Sequence, residues 1–222
     1  MNAADFFQFD RDLDPTDARL GLTEAMRTVI AELASSTASD DAFEQARELV
    51  ERAAMVLGER QHGRRYEGAE ASLLERPGHG VSLDFSPFVG AFNPLAPPII
   101  MSAEGDEVIG TVIYGDAYEG PPGCLHGGFI AAGFDDVLGF AQSLSGTPGM
   151  TGRLTVSYRS PTPLHEPVRY VATLDRVDGR KIYAVATLRH GDRLCAEAEG
   201  LFISVKPAAF ASLKQHRADR ED

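Results

Sequence analysis

From Gly127 to about Leu144 the chain is apolar around nearly its whole circumference, with Phe129, Ile130, Phe134, Val137, Leu138, Phe140, Ala141 and Leu144 leaving no broad polar face. A surface helix shows one apolar stripe, so a helix of this kind has to be covered on most sides, here by a sheet that wraps it. Gly146 and Pro148 supply an ordinary stop. Two adjacent carboxylates, Asp135 and Asp136, interrupt the apolar surface in mid-helix. An ionised carboxylate left unpaired in such a place costs several kcal/mol or moves its pKa up from about 3.9. The pair therefore needs a function, or a bond from a neighbouring strand or water.

The material for the sheet follows and precedes this helix. Pro98 to Ala103 and Glu107 to Tyr114 flank Glu104-Gly105-Asp106 as a hairpin, and Thr151 to Arg159, Val168 to Val177, Lys181 to His190 and Arg193 to Val205 are β-branched and aromatic runs. Asp178-Gly179-Arg180 and Gly191-Asp192 provide turns between the last three. The spacing predicts an antiparallel meander after one helix, in an α+β fold. Ahead of it, Leu22, Met26, Val29, Ile30 and Leu33, then Phe43, Ala46, Leu49, Val50, Ala53, Val56 and Leu57, recur at helical spacing, with Ser39, Asp40 and Asp41 as capping residues between them. They predict a helical hairpin within residues 1–60. Two short amphipathic helices cannot bury both stripes alone, so the hairpin is expected to pack on the main domain or across a subunit interface. Residues 61–80, rich in Gly, Arg, Glu and His, read as a linker to a main domain over 81–206, and 207–222 as a polar tail.

Charge and composition narrow the function. A formal charge of −12 argues against non-specific nucleic-acid binding, which depends on clustered Lys and Arg. The charge is uneven: residues 1–150 hold 9 Lys and Arg against 24 Asp and Glu, while residues 151–206 hold 9 against 6, so a phosphate-bearing ligand is expected on the later segment. Alternating solvent-facing strand residues would give the same pattern. No stretch approaches the roughly 18 uninterrupted apolar residues of a membrane span, Pro94, Pro97 and Pro98 breaking the longest run. Two cysteines and a start that is neither basic nor apolar lead to the expectation of a reducing cytoplasm.

Several familiar chemistries are disfavoured. Cys124 lies two residues from His126 in a turn, which is not a nucleophile–base arrangement, and a small apolar Cys is the better account. His62, His79, His165, His190 and His216 are scattered without metal-ligand spacing, so no metal is expected. No Gly-x-Gly-x-x-Gly or Gly-Lys-Ser/Thr phosphate loop occurs, and no cofactor is expected. What remains is the turn just before the long helix. Gly120-Pro121-Pro122-Gly123 and then His126-Gly127-Gly128 place a stiff turn and two residues without side chains at a helix N-terminus. Amides there are unpaired and carry the positive end of the helix dipole, so they can hold a developing oxyanion. Taken alone, such glycines also serve merely to close a tight loop.

The combination Gly-Pro-Pro-Gly-Cys-Leu-His126-Gly127-Gly128, with Asp135 nine residues after the histidine and Gly-Arg-Leu-Thr-Val-Ser-Tyr-Arg-Ser-Pro on the next strand, resembles PaaI-like hotdog thioesterases over residues 85–206. Ser86-Pro87 and Asn93-Pro94 bring it nearer to the thioesterase-superfamily-member group. The helical hairpin lies outside the resemblance. What the resemblance implies is a hotdog fold, a sheet wrapped around a long helix, with two subunits joined through a continuous sheet. Asp135 would activate water or attack the thioester, Gly127, helped by Gly128, would donate to the oxyanion, His126 would orient the carbonyl or the loop, and Thr151 would hold the attacking water. Asp136 stands where relatives more often have a small or neutral residue, which leaves open whether it shares the work of Asp135.

Eight residues of helix separate Gly127 from Asp135, about 12 Å, too far for both to act on one carbonyl. A homodimer, or a dimer of dimers, could bring a partner's Asp135 to this Gly127. The implied substrate is an acyl-CoA, and Arg159, Arg180 and Lys181 are candidates for its phosphates, although each could equally be a solvated strand end. Two other readings stand beside thioester hydrolysis: a hotdog module that binds or senses acyl-CoA without turnover, and an interaction protein built on the helical hairpin. A hotdog hydratase is disfavoured because no histidine follows an aspartate by five residues.

Overall fold

A computed structural model describes residues 14–59, 85–147 and 149–205. The linker expected over 61–80 and the tail over 207–222 lie outside these. In chain order the elements are α1 (Ala18–Ser35), α2 (Asp40–Gly58), β1 (Ile100–Glu104), β2 (Glu107–Ile113), a 3-10 turn (Asp116–Tyr118), α3 (Gly127–Ser143), β3 (Gly149–Tyr158), β4 (Pro167–Asp178), β5 (Lys181–His190) and β6 (Arg193–Ser204). The six strands form one antiparallel sheet in the order β1-β2-β4-β5-β6-β3.

The long helix is covered as its composition demands. Inward-facing Val108, Val112, Val168, Tyr170, Ala172, Ile182, Ala184, Leu188, Ala196 and Phe202 close around Ile130, Phe134, Val137, Leu138 and Ala141. Contact is close enough that glycine is required at Gly133, where a Cβ would sit 2.5 Å from the Tyr170 hydroxyl oxygen. This is the hotdog arrangement.

One expectation needs correction. The meander holds for β4, β5 and β6 only: β3 pairs with β6, leaving β4 between β2 and β5. The segment after α3 thus crosses to the far edge of the sheet, and β3 keeps one edge unpaired among the described residues. Local sequence sets each strand's alternation but not its neighbour, which depends on how the sheet closes over the helix.

The hairpin meets the main domain through α1. Both helices form where expected, Asp17 capping α1 by accepting from the Arg19 amide at 2.7 Å, and Ser39 capping α2. Of the α1 stripe, Met26 and Ile30 are half-buried. Leu22, Val29 and Leu33 are exposed on α1, and α2 has no buried residue. The face of α1 that docks mixes polar and apolar residues: Thr23 is buried, Met26, Arg27 and Ile30 are half-buried, Arg27 bonds to carbonyls of the 85–99 loop, and the Arg19 guanidinium lies 5.9 and 5.5 Å from the ring centroids of Phe85 and Phe92.

Candidate active site

The turn before α3 is built by its own backbone. Gly120 N–H donates to Cys124 O at 2.9 Å and Cys124 N–H to Pro121 O at 2.8 Å, while Leu125 N–H reaches Thr162 O and His126 N–H reaches Tyr118 O. Gly120 has to be glycine, because a Cβ there would meet the His126 Cα at 2.7 Å. Gly123 has φ +71°, which glycine adopts without strain. The chain is thereby delivered into α3 with His126 as N-cap.

His126 caps with its ring. Its Nδ1 accepts from Gly128 N–H at 3.0 Å, so Nδ1 is bare and the proton of the neutral imidazole resides on Nε2. The Gly128 amide is thus already engaged. Among the described residues the Gly127 N–H has no partner, and it sits at the positive end of the helix. The Gly127 carbonyl accepts from the Tyr158 hydroxyl at 2.8 Å, an anchor that motif reading did not find. Its only sequence signal is a tyrosine closing the strand Thr155-Val156-Ser157-Tyr158.

Two turns further along α3, the paired carboxylates part company. Asp135 is half-buried, and its Oδ1 accepts from the Thr151 hydroxyl at 2.8 Å. Asp136 is turned toward Ser86, a buried side chain whose hydroxyl donates to Asp136 Oδ2 at 3.4 Å while accepting from the amides of Phe88 and Val89. The side of α3 that the sheet leaves least covered carries Gly128, Ala132, Asp135 and Gly139, three small residues and one carboxylate.

The candidate cations lie at the two ends of β3. Arg159 follows Tyr158, near Gly127, and is ion-paired with Glu197. Lys181 is in register with Ile203, and Ile203 with Met150, so Arg180 and Lys181 flank the other end, two strand spacings or about 10 Å from the Thr151 strand. Arg180 donates to Ser204 O at 3.3 Å. Within one chain, then, the structure brings Thr151 to Asp135 and Tyr158 to Gly127, and does not bring Asp135 to Gly127. Concavities on the outer face of the sheet, around Arg153, Tyr183 and Glu199 and around Thr155, Val185 and Glu197, touch none of these groups. Among the described residues no three His, Cys, Asp or Glu side chains come together as a metal site, and no helix is long and apolar enough to cross a membrane.

One sheet wrapped on a long helix is the hotdog architecture, and here the Gly127 carbonyl and the Asp135 carboxylate are both bonded from the edge strand β3. Comparison with known proteins agrees. A crystal structure described as a thioesterase superfamily protein superposes with a TM-score of 0.74 at 35% identity, covering 86% of this chain and 97% of that one. The chain belongs to the thioesterase superfamily. That share of the chain is more than the sheet and its central helix supply, so the likeness runs into the N-terminal helices. Acyl-coenzyme A thioesterase THEM4 of Bos taurus is 38% identical over 95 residues, 42% of this chain and 39% of that protein, and its Xenopus laevis counterpart is 37% identical over 95 residues, 42% and 43%. The chain spans about two fifths of the length of these curated relatives. No model of a known protein family matches it.

Proposed function

We propose that the protein is an acyl-CoA thioesterase, hydrolysing an acyl-CoA to a carboxylic acid and coenzyme A at two sites shared across a homodimer, with no cofactor and in the cytoplasm. The observation that carries this reading is that β3, an edge strand, holds both halves of the machinery: Thr151 binds Asp135 at one end and Tyr158 binds Gly127 at the other. An unpaired edge invites a second strand. Two-fold antiparallel pairing of β3 with its copy inverts the strand, so the Thr151–Asp135 end of one subunit meets the Gly127–Tyr158 end of its partner. The separation of about 12 Å within one helix is then no obstacle.

The chemistry follows from the groups. Thr151 occupies Oδ1 of Asp135, leaving Oδ2 to take a proton from water as the water oxygen attacks the thioester carbonyl carbon. The carbonyl oxygen, now negative, lies on the Gly127 N–H across the interface. Collapse of the tetrahedral species breaks the carbon–sulfur bond, and the coenzyme A thiolate recovers the proton from Asp135. His126 fixes the turn by capping the helix rather than by touching the carbonyl. Arg159 from one side and the partner's Arg180 and Lys181 from the other are placed to meet the phosphates, Arg159 by exchanging Glu197 for a phosphate.

The deciding experiment is thiol release over a panel of aliphatic and aromatic acyl-CoAs, run with the wild type and with Asp135→Asn. Turnover lost in the variant supports the proposal. Binding of acyl-CoA with no turnover by the wild type would replace it with a sensing or sequestering role.

A further inference from the structure

Arg27 lies on α1, outside the stretch that carries the active-site motifs, yet it holds a loop that reaches the middle of the active-site helix and, through Tyr118, its N-terminus. Its guanidinium donates to four main-chain carbonyls: Nε to Ala96 at 3.1 Å, and Nη2 to Gly90 and Ala91 at 3.0 Å and to Asn93 at 2.9 Å. Ala91 and Ala96 are buried, so their carbonyls need such a donor. Serving carbonyls that converge from one irregular loop suits the planar fork of an arginine and not the compact ammonium of a lysine.

The loop itself, residues 85–99, has no regular secondary structure beyond turn bonds such as Gly90 N–H to Ser86 O at 3.0 Å and Ala96 N–H to Asn93 O at 3.0 Å. At one end Ser86 meets Asp136, the residue beside the proposed base. At the other, the Leu95 carbonyl accepts from the Tyr118 hydroxyl at 3.4 Å. Tyr118 stands edge-on to Phe129 with ring centroids 4.9 Å apart, and its carbonyl accepts from His126 N–H at 3.0 Å. One loop therefore touches α3 in its middle, at Asp136, and reaches its N-terminus through Tyr118, and the loop itself is pinned from α1.

We propose that Arg27 is a positioning residue for the hydrolysis, and that through it α1 is a working part of the enzyme: by fixing residues 85–99 it sets Ser86 on Asp136 and Leu95 on Tyr118, and so the aim of the middle and the N-terminus of α3. This rests on the thioesterase reading above. The exposed stripe of α2 plays no part in it.

The test uses the full chain with Arg27→Lys and Arg27→Met, each assayed for folding by circular dichroism, for amide hydrogen exchange over residues 86–99, and for kcat and KM with the best acyl-CoA of the panel. Both variants are expected to lose protection at Gly90, Asn93 and Ala96 and to lose about ten- to a hundredfold in kcat, with KM moving less than about threefold, as misplacement of reacting groups requires. Adding Ser86→Ala to Arg27→Lys is expected to cost less than the two single effects combined, because both act through one loop. A lowered melting temperature with kcat intact would make Arg27 purely structural and overturn the proposal, as would unchanged exchange in the loop. If Arg27→Met does not fold, the lysine variant decides. A wild type that hydrolyses no acyl-CoA fails the thioesterase reading and this inference with it, whereas a wild type that turns over no faster than Arg27→Lys fails this inference alone.

Discussion

Thr151 and Asp135 are tied by a 2.8 Å hydrogen bond from hydroxyl to carboxylate, and the tie divides two carboxylates that are adjacent in sequence. Asp135 looks toward the edge strand and the least covered side of α3, while Asp136 looks toward Ser86 and the loop that α1 holds. The amide of an asparagine cannot accept a proton as a carboxylate does, so Asp135→Asn is expected to lower kcat by about a hundredfold or more. Asp136→Asn keeps an oxygen for Ser86 and is expected to retain turnover within about tenfold, with its effect read mainly in thermal stability. Equal losses of kcat at both positions would show that the two share the work.

The Thr151 hydroxyl is expected to act by orienting Asp135, not by chemistry of its own. Thr151→Ser preserves the donor, whereas Thr151→Val preserves the shape and removes it. The valine variant is expected to lose about tenfold in kcat/KM, the worth of a hydrogen bond to a charged group, and the serine variant only a few-fold. Steady-state kinetics on the pair would contradict this if valine and serine fell together.

Gly127 offers a way to remove one hydrogen without disturbing the helix. It is the first residue of α3, where proline is favoured because the N–H has no helical partner, and His126 before it is already extended at φ −63° and ψ 132°, as a residue preceding proline should be. Gly127→Pro is expected to fold, with the Tyr158 ring, 3.3 Å from where a Cβ would lie, shifting slightly. Loss of the proposed oxyanion donor is expected to cost about a hundred- to a thousandfold in kcat. Refolding an equal mixture of Gly127→Pro and Asp135→Asn should then restore about a quarter of wild-type turnover, since half the dimers are mixed and each mixed dimer holds one intact site. A mixture as inactive as its components would place both groups of a site in one subunit.

Much of this was legible in the residues themselves, for identifiable reasons. The central helix announces itself because Phe129 to Leu144 is apolar on all sides, and Asp135 because an acid in such a place needs a partner. Thr151 follows from family register. The position of β3 beside β6 was not legible, because strand order is a property of how the sheet closes and not of any one strand. The docking face of α1 was legible only in part: Met26 and Ile30 of its stripe are half-buried, but Thr23 and Arg27 share that face, since a loop of irregular backbone offers carbonyls for an arginine. Tyr158 was missed for a similar reason, its acceptor being a main-chain carbonyl that no side-chain motif reports.

Beneath α3 the hydroxyls of Tyr114 and Tyr170 meet at 3.0 Å, fully enclosed where Gly133 lets the helix approach. Burial pushes both phenols above their ordinary value, the mutual hydrogen bond lowering Tyr114 in part and, with the charge of Tyr114, raising Tyr170 further. In the unfolded chain each would ionise near pH 10. Below that pH both states are neutral and the contribution of the pair to stability is complete. As pH rises beyond it the unfolded state loses protons that the folded state keeps, so stability falls by up to about 1.4 kcal/mol per pH unit for each tyrosine until the folded phenols ionise in turn. Urea unfolding between pH 8 and 11.5 is expected to show this decline, and Tyr170→Phe is expected to flatten it by one tyrosine's worth while costing about 1–3 kcal/mol at neutral pH, because Tyr114 is left without its partner. An alkaline slope identical in wild type and variant would mean that Tyr170 ionises as freely inside the protein as outside it.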